Sequence, residues 1–305
     1  MNKRPGLLFS GQGAQYVGMG QSLCQQWPVA RDLYDRADRI LGWKLSQASF
    51  EGPEEFLTQT KVCQLALFVQ GVSLYEILKS EGILESAGAV TGLSLGEITA
   101  LTAAESMDFE TGLRLVAERA RLMQEACEKT AGSMASVIGG EPAQVEELCQ
   151  ECGLEIANLN CPGQIVISGG KDRIVRAVQR GKEMGFKLVK ELQVAGAYHS
   201  RLMESARTGF APYVRGADIR EPRCPFYANV SGRRVQQVEE IRQGLVDQVV
   251  SPVRFEECLR SMGADLPDPV EMVECGPAKI LAGLVRRTER TWTVASFSES
   301  ADFSE

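Results

Sequence analysis

At 305 residues, 44% hydrophobic and 24% charged, the chain has the balance of a globular protein whose core needs no disulfide or metal support. A net charge of −7 and a pI of about 5.1 argue against general nucleic-acid binding, which calls for a basic excess. No unbroken apolar run reaches the roughly 18 residues of a membrane span, and the apolar stretch Leu7, Leu8, Phe9 is too short for a secretory signal.

In chain order, Pro5 to Ser10 reads as a short buried strand, followed by a glycine-rich turn and a helix from about Tyr16. Helical patterns continue over Val29–Leu41 and Val62–Leu78. Ala87–Thr91 is a second strand, which runs into Gly92-Leu93-Ser94-Leu95-Gly96 and a helix beginning near Glu97. A long helix follows to about Lys129, with Asp108 as its N-cap and Arg114, Glu118, Arg121 and Glu125 along one solvated stripe. Strands alternating with helices predict an α/β sheet, largely parallel.

The middle has another rhythm: strand Ser133–Ile138, helix Pro142–Cys152, strand Glu155–Leu159, strand Gln164–Ser168, helix Asp172–Met184 and strand Lys187–Gln193. That βαββαβ order is the ferredoxin-like pattern, complete in about sixty residues. It predicts a small subdomain at 130–197 inserted into a larger one formed by 1–129 and 198–305. Val270–Glu274 then reads as a strand and Ala278–Arg287 as a helix, and the last ten residues are expected to fray.

Nine scattered cysteines, an odd number, fit reduced thiols in a cytoplasm. The pair Cys149 and Cys152 lies in a charged helical pattern with no second ligand pair to make a zinc site. There is a single histidine, His199, and so a single candidate for an imidazole base.

Gly92-x-Ser94-x-Gly96 between a strand and a helix is the nucleophile-elbow pattern. A sharp turn there presents the serine hydroxyl at a helix N-terminus, whose amides favour developing negative charge. Serine needs a base, and His199 sits among small residues, Ala195-Gly196-Ala197-Tyr198-His199-Ser200, in a turn after a strand. The group orienting the other ring nitrogen is not picked out by the residues alone. Gly11-Gln12-Gly13 follows the first strand, but Tyr16 stands where a dinucleotide fingerprint needs its third glycine, and no P-loop is present. Arg119 shares a helical stripe with Leu115, Leu122 and Ala126. It is either an arginine snorkelling from the core edge or a guanidinium fork held for a carboxylate.

These segments together resemble the malonyl-coenzyme A:acyl carrier protein transacylase family over nearly the whole chain. The likeness rests on Gly11-Gln12-Gly13-Ala14-Gln15, on Gly92 to Glu97, and on Arg119 with Met123-Gln124. Asn160-Cys161-Pro162-Gly163-Gln164, Ala197-Tyr198-His199-Ser200, Ser251-Pro252-Val253-Arg254 and Gly276-Pro277-Ala278-Lys279 extend it. The resemblance implies an α/β-hydrolase-like large subdomain carrying a ferredoxin-like one. It implies Ser94 as acylated nucleophile, His199 as general base, and the amides of Gln12 and Leu95 as oxyanion hole. Arg119 would grip the malonate carboxylate, the carbonyl of Ser251 would orient the imidazole, and Gln64 and Gln164 would line the site. Leu93 stands where many members have His, Ser251 where Asn is usual, and the bulky Tyr198 before the base fits malonyl better than methylmalonyl.

The expected reaction is ping-pong transfer of malonyl from coenzyme A to the phosphopantetheine thiol of an acyl carrier protein, for fatty acid biosynthesis. No metal, nucleotide or redox cofactor is called for, and a cytoplasmic monomer is expected, with no nucleic-acid or membrane partner. A trans-acting polyketide acyltransferase or the transferase subunit of a malonate decarboxylase would look almost identical. A serine esterase shares the elbow but leaves Arg119 unexplained, and a non-catalytic docking protein would not need Ser94, His199 and Arg119 together. For docking an acidic carrier, the densest basic clusters are Arg286, Arg287 and Arg290, and Lys182, Lys187 and Lys190.

Overall fold

The computed structural model describes residues 4–303. The chain begins with β1 (Gly6–Phe9), then helices α1 (Gln21–Gln26), α2 (Pro28–Leu41), α3 (Leu45–Glu51), α4 (Glu54–Leu57) and α5 (Thr60–Ser80). Next come β2 (Ala89–Gly92), α6 (Gly96–Ala103) and α7 (Phe109–Lys129). The middle runs β3 (Gly132–Ile138), α8 (Pro142–Cys152), β4 (Glu155–Cys161), β5 (Gln164–Gly170), α9 (Lys171–Glu183) and β6 (Leu188–Glu191). The remainder is α10 (Glu204–Gly216), β7 (Phe226–Ala228), β8 (Arg233–Val235), α11 (Val238–Asp247), α12 (Phe255–Asp265), β9 (Glu271–Cys275), α13 (Ile280–Thr288) and β10 (Thr293–Phe297).

The larger sheet has the order β10-β9-β1-β2-β7-β8. Its first five strands pair in parallel, and only the hairpin β7–β8 is antiparallel. Such a sheet must be covered on both faces, which is why every residue of β1 and β2 is buried and only Thr91 among them is polar. This is the α/β-hydrolase-like subdomain. The second sheet, β4-β5-β3-β6, is antiparallel and ferredoxin-like. Alternation along its strands gives it two faces. Ala135, Val137, Ile165 and Ile167 pack with Val145, Leu148, Ile174 and Ala177 of α8 and α9. Met134, Ser136, Gln164 and Val166 turn instead to a cleft against the larger subdomain. The edge strand β4 is laced to that subdomain by Leu159 N–H donating to Val253 O at 2.9 Å and Val253 N–H donating to Ala157 O at 2.8 Å.

Several expectations need correction. The helix expected from Tyr16 begins at Gln21, because Gly18 (φ 105°) and Gly20 (φ 79°) bend the chain first. The helix expected from Ala278 begins at Ile280, since Ala278 (φ 70°) and Lys279 (φ 52°) are left-handed. The C-terminal segment expected to fray is instead built in, as far as Phe303. Phe297 pairs with Cys275 in the sheet, and Phe303 packs its ring against Phe297 and Trp27. The final two residues of that segment lie outside the described ones. One helix among the described residues, α5, is long and apolar enough by composition to cross a membrane, but 89% of its most apolar window is buried within the protein. On α7, Asp108 caps the first turn by accepting from Thr111 N at 2.7 Å, and Arg121 pairs with both Glu118 and Glu125.

Candidate active site

The turn from β2 into α6 is too tight for side chains at its two glycines. A Cβ on Gly92 would lie 2.1 Å from the Gly96 backbone, and one on Gly96 would lie 2.1 Å from Phe9 O. Ser94 between them is held at φ 54°, the strained left-handed region. Asn229, just after β7, braces the turn: its Oδ1 accepts from Ser94 N at 2.8 Å and its Nδ2 donates to Gly92 O at 2.8 Å.

His199, itself at φ 56°, places Nε2 2.8 Å from Ser94 Oγ. Its Nδ1 lies 2.7 Å from the backbone carbonyl of Gln248. A carbonyl can only accept, so Nδ1 carries the proton and the Nε2 lone pair faces the serine hydroxyl. The orienting carbonyl expected at Ser251 is therefore that of Gln248. The Ser251 backbone also favours the imidazolium, but the close contact is one turn earlier in the chain. Burial, and then the nearby charge of Arg119, push the His199 pKa down to about 4. The ring is thus neutral near pH 7, as a base must be.

Arg119 projects from α7 with 1% of its surface exposed, so its head is not at the edge of the core. Its Nη1 donates to Gln64 Oε1 at 2.6 Å, and its Nη2 donates to Gln248 Oε1 at 2.8 Å and to Ser94 Oγ at 3.0 Å. These bonds use three of the five guanidinium N–H donors and leave two for an incoming acceptor. Burial lowers the Arg119 pKa to about 10, so the charge persists near neutrality. Glu97 lies behind Gln248, accepting from Gln248 Nε2 and, at 2.7 Å, from Asn229 N. Burial raises Glu97 to about 7, opposed by Asn229 N–H, the Arg119 charge and Gln248. Because a guanidinium can only donate, Arg119 takes the Gln248 Oε1 and so turns the Nε2 end of that amide to Glu97. Gln248 thereby serves the arginine with its side chain and the histidine with its backbone. Gln248→Ala should cost about 1–3 kcal/mol of stability, since it removes one hydrogen-bond partner from each of two buried ionisable groups; urea unfolding measures this, and an unmoved midpoint would show the network to be dispensable.

The loop after β1 approaches so closely that a Cβ on Gly11 would sit 2.3 Å from Leu93 O. It brings Gln12 beside the elbow. Among the described residues no group accepts from the backbone amide of Gln12 or of Leu95. Both residues, with Ser94, Arg119, Gln64, Leu93, Tyr198, His199 and Gln164, line one cleft of about 760 Å³. Tyr198 Oη is fixed by Thr60 Oγ1 at 2.5 Å and by Gln12 Nε2 at 3.3 Å. Gln164 stands at the rim, where its Oε1 accepts from Arg287 Nη1 at 2.7 Å. Ser251 does not line the cleft.

Sequence reasoning missed Gln248, Asn229 and the bracing use of Glu97. Asn229 follows a short strand in Ala228-Asn229-Val230-Ser231-Gly232, a turn signal that flags a loop but no role. Gln248, in Asp247-Gln248-Val249, carries no signal at all.

Residues 7–299 match the family model of the acyl transferase domain. The malonyl CoA-acyl carrier protein transacylase of Bacillus subtilis strain 168 is 38% identical over 297 residues, covering 96% of this chain and 92% of its own. An acyl carrier protein S-malonyltransferase from Vibrio cholerae has a solved structure that superimposes with a TM-score of 0.93 at 32% identity, covering 99% of each chain. A malonyl-transacylase solved in complex with a type II polyketide acyl carrier protein gives 0.93 at 32% identity, covering 99% of this chain and 98% of that one. The chain belongs to the malonyl-coenzyme A:acyl carrier protein transacylase family of acyl transferases.

Proposed function

We propose that this protein transfers malonyl from coenzyme A to the phosphopantetheine thiol of an acyl carrier protein, in the cytoplasm and for fatty acid biosynthesis, through an ester at Ser94. The observation that carries the reading is that one hydroxyl, Ser94 Oγ, touches both a neutral imidazole nitrogen and a fully buried guanidinium. In the first half-reaction Ser94 Oγ attacks the thioester carbonyl as its proton passes to His199 Nε2. The oxyanion is taken by the free amides of Gln12 and Leu95; one such donor is typically worth roughly 10²–10³ in rate. The C–S bond breaks, and the proton on Nε2 goes to the departing thiolate. The carrier thiol then reverses these steps, giving its proton to Nε2 and regenerating the serine. Throughout, Arg119 holds the free carboxylate of malonate with its two remaining donors, so the ester carbonyl stays in place while thiols exchange.

An esterase would place a carboxylic acid on the far side of the imidazole, whereas here a backbone carbonyl stands there. The cleft lies between the segment we assign as the small unit, 130–197, and the rest of the chain, 1–129 and 198–305. All nine cysteines are unpaired, in keeping with a reducing compartment. Burial pushes the Cys63 thiol up to about 12, leaving it a poor rival to the serine. Incubation with malonyl-coenzyme A followed by intact mass measurement should show one added malonyl group per chain, and Ser94→Ala should abolish it. An adduct that persists in Ser94→Ala, or none in the intact protein, would overturn the assignment.

A further inference from the structure

Between β1 and α1, four of the ten residues 11–20 are glycine, and the stretch forms neither helix nor strand. Such a segment has many conformations open to it. The transfer chemistry nevertheless needs one of its amides, that of Gln12, held at a fixed point beside Ser94. The side chain of Gln12 gives modest help. Its Nε2 reaches Tyr198 Oη at 3.3 Å and its Oε1 accepts from Gln64 Nε2 at 3.4 Å, both long for hydrogen bonds.

Firmer ties come from the opposite end of the chain. The Glu299 carboxylate accepts from Tyr16 Oη on Oε1 and from Ser22 Oγ on Oε2, and Gly20 N–H donates to Oε1 at 3.4 Å. Burial, and then this hydrogen bond, push the Tyr16 pKa up, so its hydroxyl stays a donor through the neutral range. Glu299 itself stands on a fixed base. Asp302 Oδ2 accepts from Ser298 N at 2.8 Å and from Glu299 N at 3.0 Å. Ser298 O accepts from Gln70 Nε2 of the buried helix α5 at 2.9 Å, and Ser300 N donates back to Ser22 Oγ at 3.1 Å. The loop is thus strung between two anchors, the elbow at Gly11 and the carboxylate that gathers Tyr16, Gly20 and Ser22. No step of the transfer touches that carboxylate.

We propose that Glu299 is a positioning residue for the oxyanion hole: by holding Tyr16, Gly20 and Ser22 it fixes the loop that carries the Gln12 amide to the thioester carbonyl. The inference rests on the transfer reading above and adds to it the group that keeps one of the two oxyanion donors in place. Arg119 grips malonate through contacts that Glu299 does not share. The contribution of Glu299 therefore falls on the chemical step and not on substrate binding.

The test is single-turnover acylation of Ser94 by malonyl-coenzyme A and by the analogue whose thioester C=O is replaced by C=S. Thiocarbonyl sulfur is large and a weak acceptor, so it draws little from the amide pair. With malonyl-coenzyme A, Glu299→Ala should slow the saturated rate by about 10- to 100-fold, part of the roughly 10²–10³ that a whole oxyanion donor is worth. The half-saturating concentration should not move. With the thiocarbonyl analogue the loss should shrink to about two-fold. Glu299→Gln keeps the shape and one accepting oxygen, and the Ser22 hydroxyl can turn to accept from its amide, so most of the rate should return. Tyr16→Phe, which removes one tie and no charge, should show the same oxygen-selective loss on a smaller scale and add nothing to Glu299→Ala. Equal losses with both donors, or a wild-type rate in Glu299→Ala, would make the residue structural and overturn the proposal. If the wild type acylates Ser94 but oxygen selectivity ignores Glu299, only this inference fails. If the wild type is not acylated at Ser94, the transfer reading fails and takes the inference with it.

Discussion

Replacing His199 by alanine should slow malonyl-enzyme formation by roughly 10²–10⁴, the ordinary worth of a positioned base. No second imidazole exists in the chain to take over. The pH dependence follows from the same geometry. The neutral ring is the active form, and burial with the neighbouring Arg119 charge holds its pKa down to about 4. Single-turnover acylation should therefore stay level from neutrality to about pH 5 and fall to half near pH 4, well below the ordinary histidine value of about 6.5. Stability is a poorer reporter. An unfolded imidazole binds a proton that the folded one refuses, so this group withdraws stability as pH falls from about 6.5 towards 4. Glu97 acts in the opposite sense. Its folded pKa is raised to about 7, so the stability tied to its protonated form is present at low pH and lost as pH rises through about 4.5 to 7. The two slopes oppose each other over much of one window, whereas the acylation rate isolates the histidine. A His199→Ala variant that acylates at the wild-type rate would remove the base from the mechanism.

What the sequence made legible was whatever repeats locally. The βαββαβ order was readable because strand alternation and helical spacing are short-range patterns, and the elbow because its glycines and serine fall between a strand and a helix that are themselves locally legible. The helices α10, α11 and α12 and the strand β10 went unread, and with them the surroundings of the site. They are short and amphipathic, and their identity depends on what they pack against. The same limit applies to Gln248. Its amide matters because α11 ends beside α6, so that Glu97, Arg119 and His199 all reach one residue, and that meeting is tertiary. The imidazole partner was expected a few residues late, at Ser251, because a backbone carbonyl leaves no mark on side-chain identity. Conversely, the strain at His199 (φ 56°) could not be foreseen, since that position carries no glycine.

Selectivity should turn on Arg119. Malonyl and acetyl thioesters differ by one carboxylate, which a hydrophobic pocket could hardly use in favour of malonyl. A guanidinium with 1% exposure can, because an acetyl group leaves its two spare donors without an acceptor in a poorly hydrated site. Truncating one side of such a pair typically costs about 2–5 kcal/mol, or some 30- to several-thousand-fold. Arg119→Ala should therefore lose most malonyl transfer while acetyl transfer holds or rises. Part of any common loss will come from Gln64 Oε1 and Gln248 Oε1, which lose their donor in the variant. That part is shared by both substrates and cancels in their ratio, so the malonyl-to-acetyl ratio is the quantity to read. Arg119→Lys keeps a charge but has no planar fork to meet Gln64, Gln248, Ser94 and a carboxylate at once, and should recover only a fraction of the preference. The measurement is acyl-enzyme formation from malonyl-, acetyl- and methylmalonyl-coenzyme A on the wild type and both variants. Methylmalonyl keeps the carboxylate and adds a methyl group, so it separates the two walls of the pocket. It should follow malonyl in its dependence on Arg119, and it should be disfavoured in all three proteins alike, because its bulk meets Tyr198, which Thr60 and Gln12 hold in place. A malonyl-to-acetyl ratio unchanged by Arg119→Ala would make the arginine a structural residue, and substrate selection would have to be sought elsewhere in the cleft.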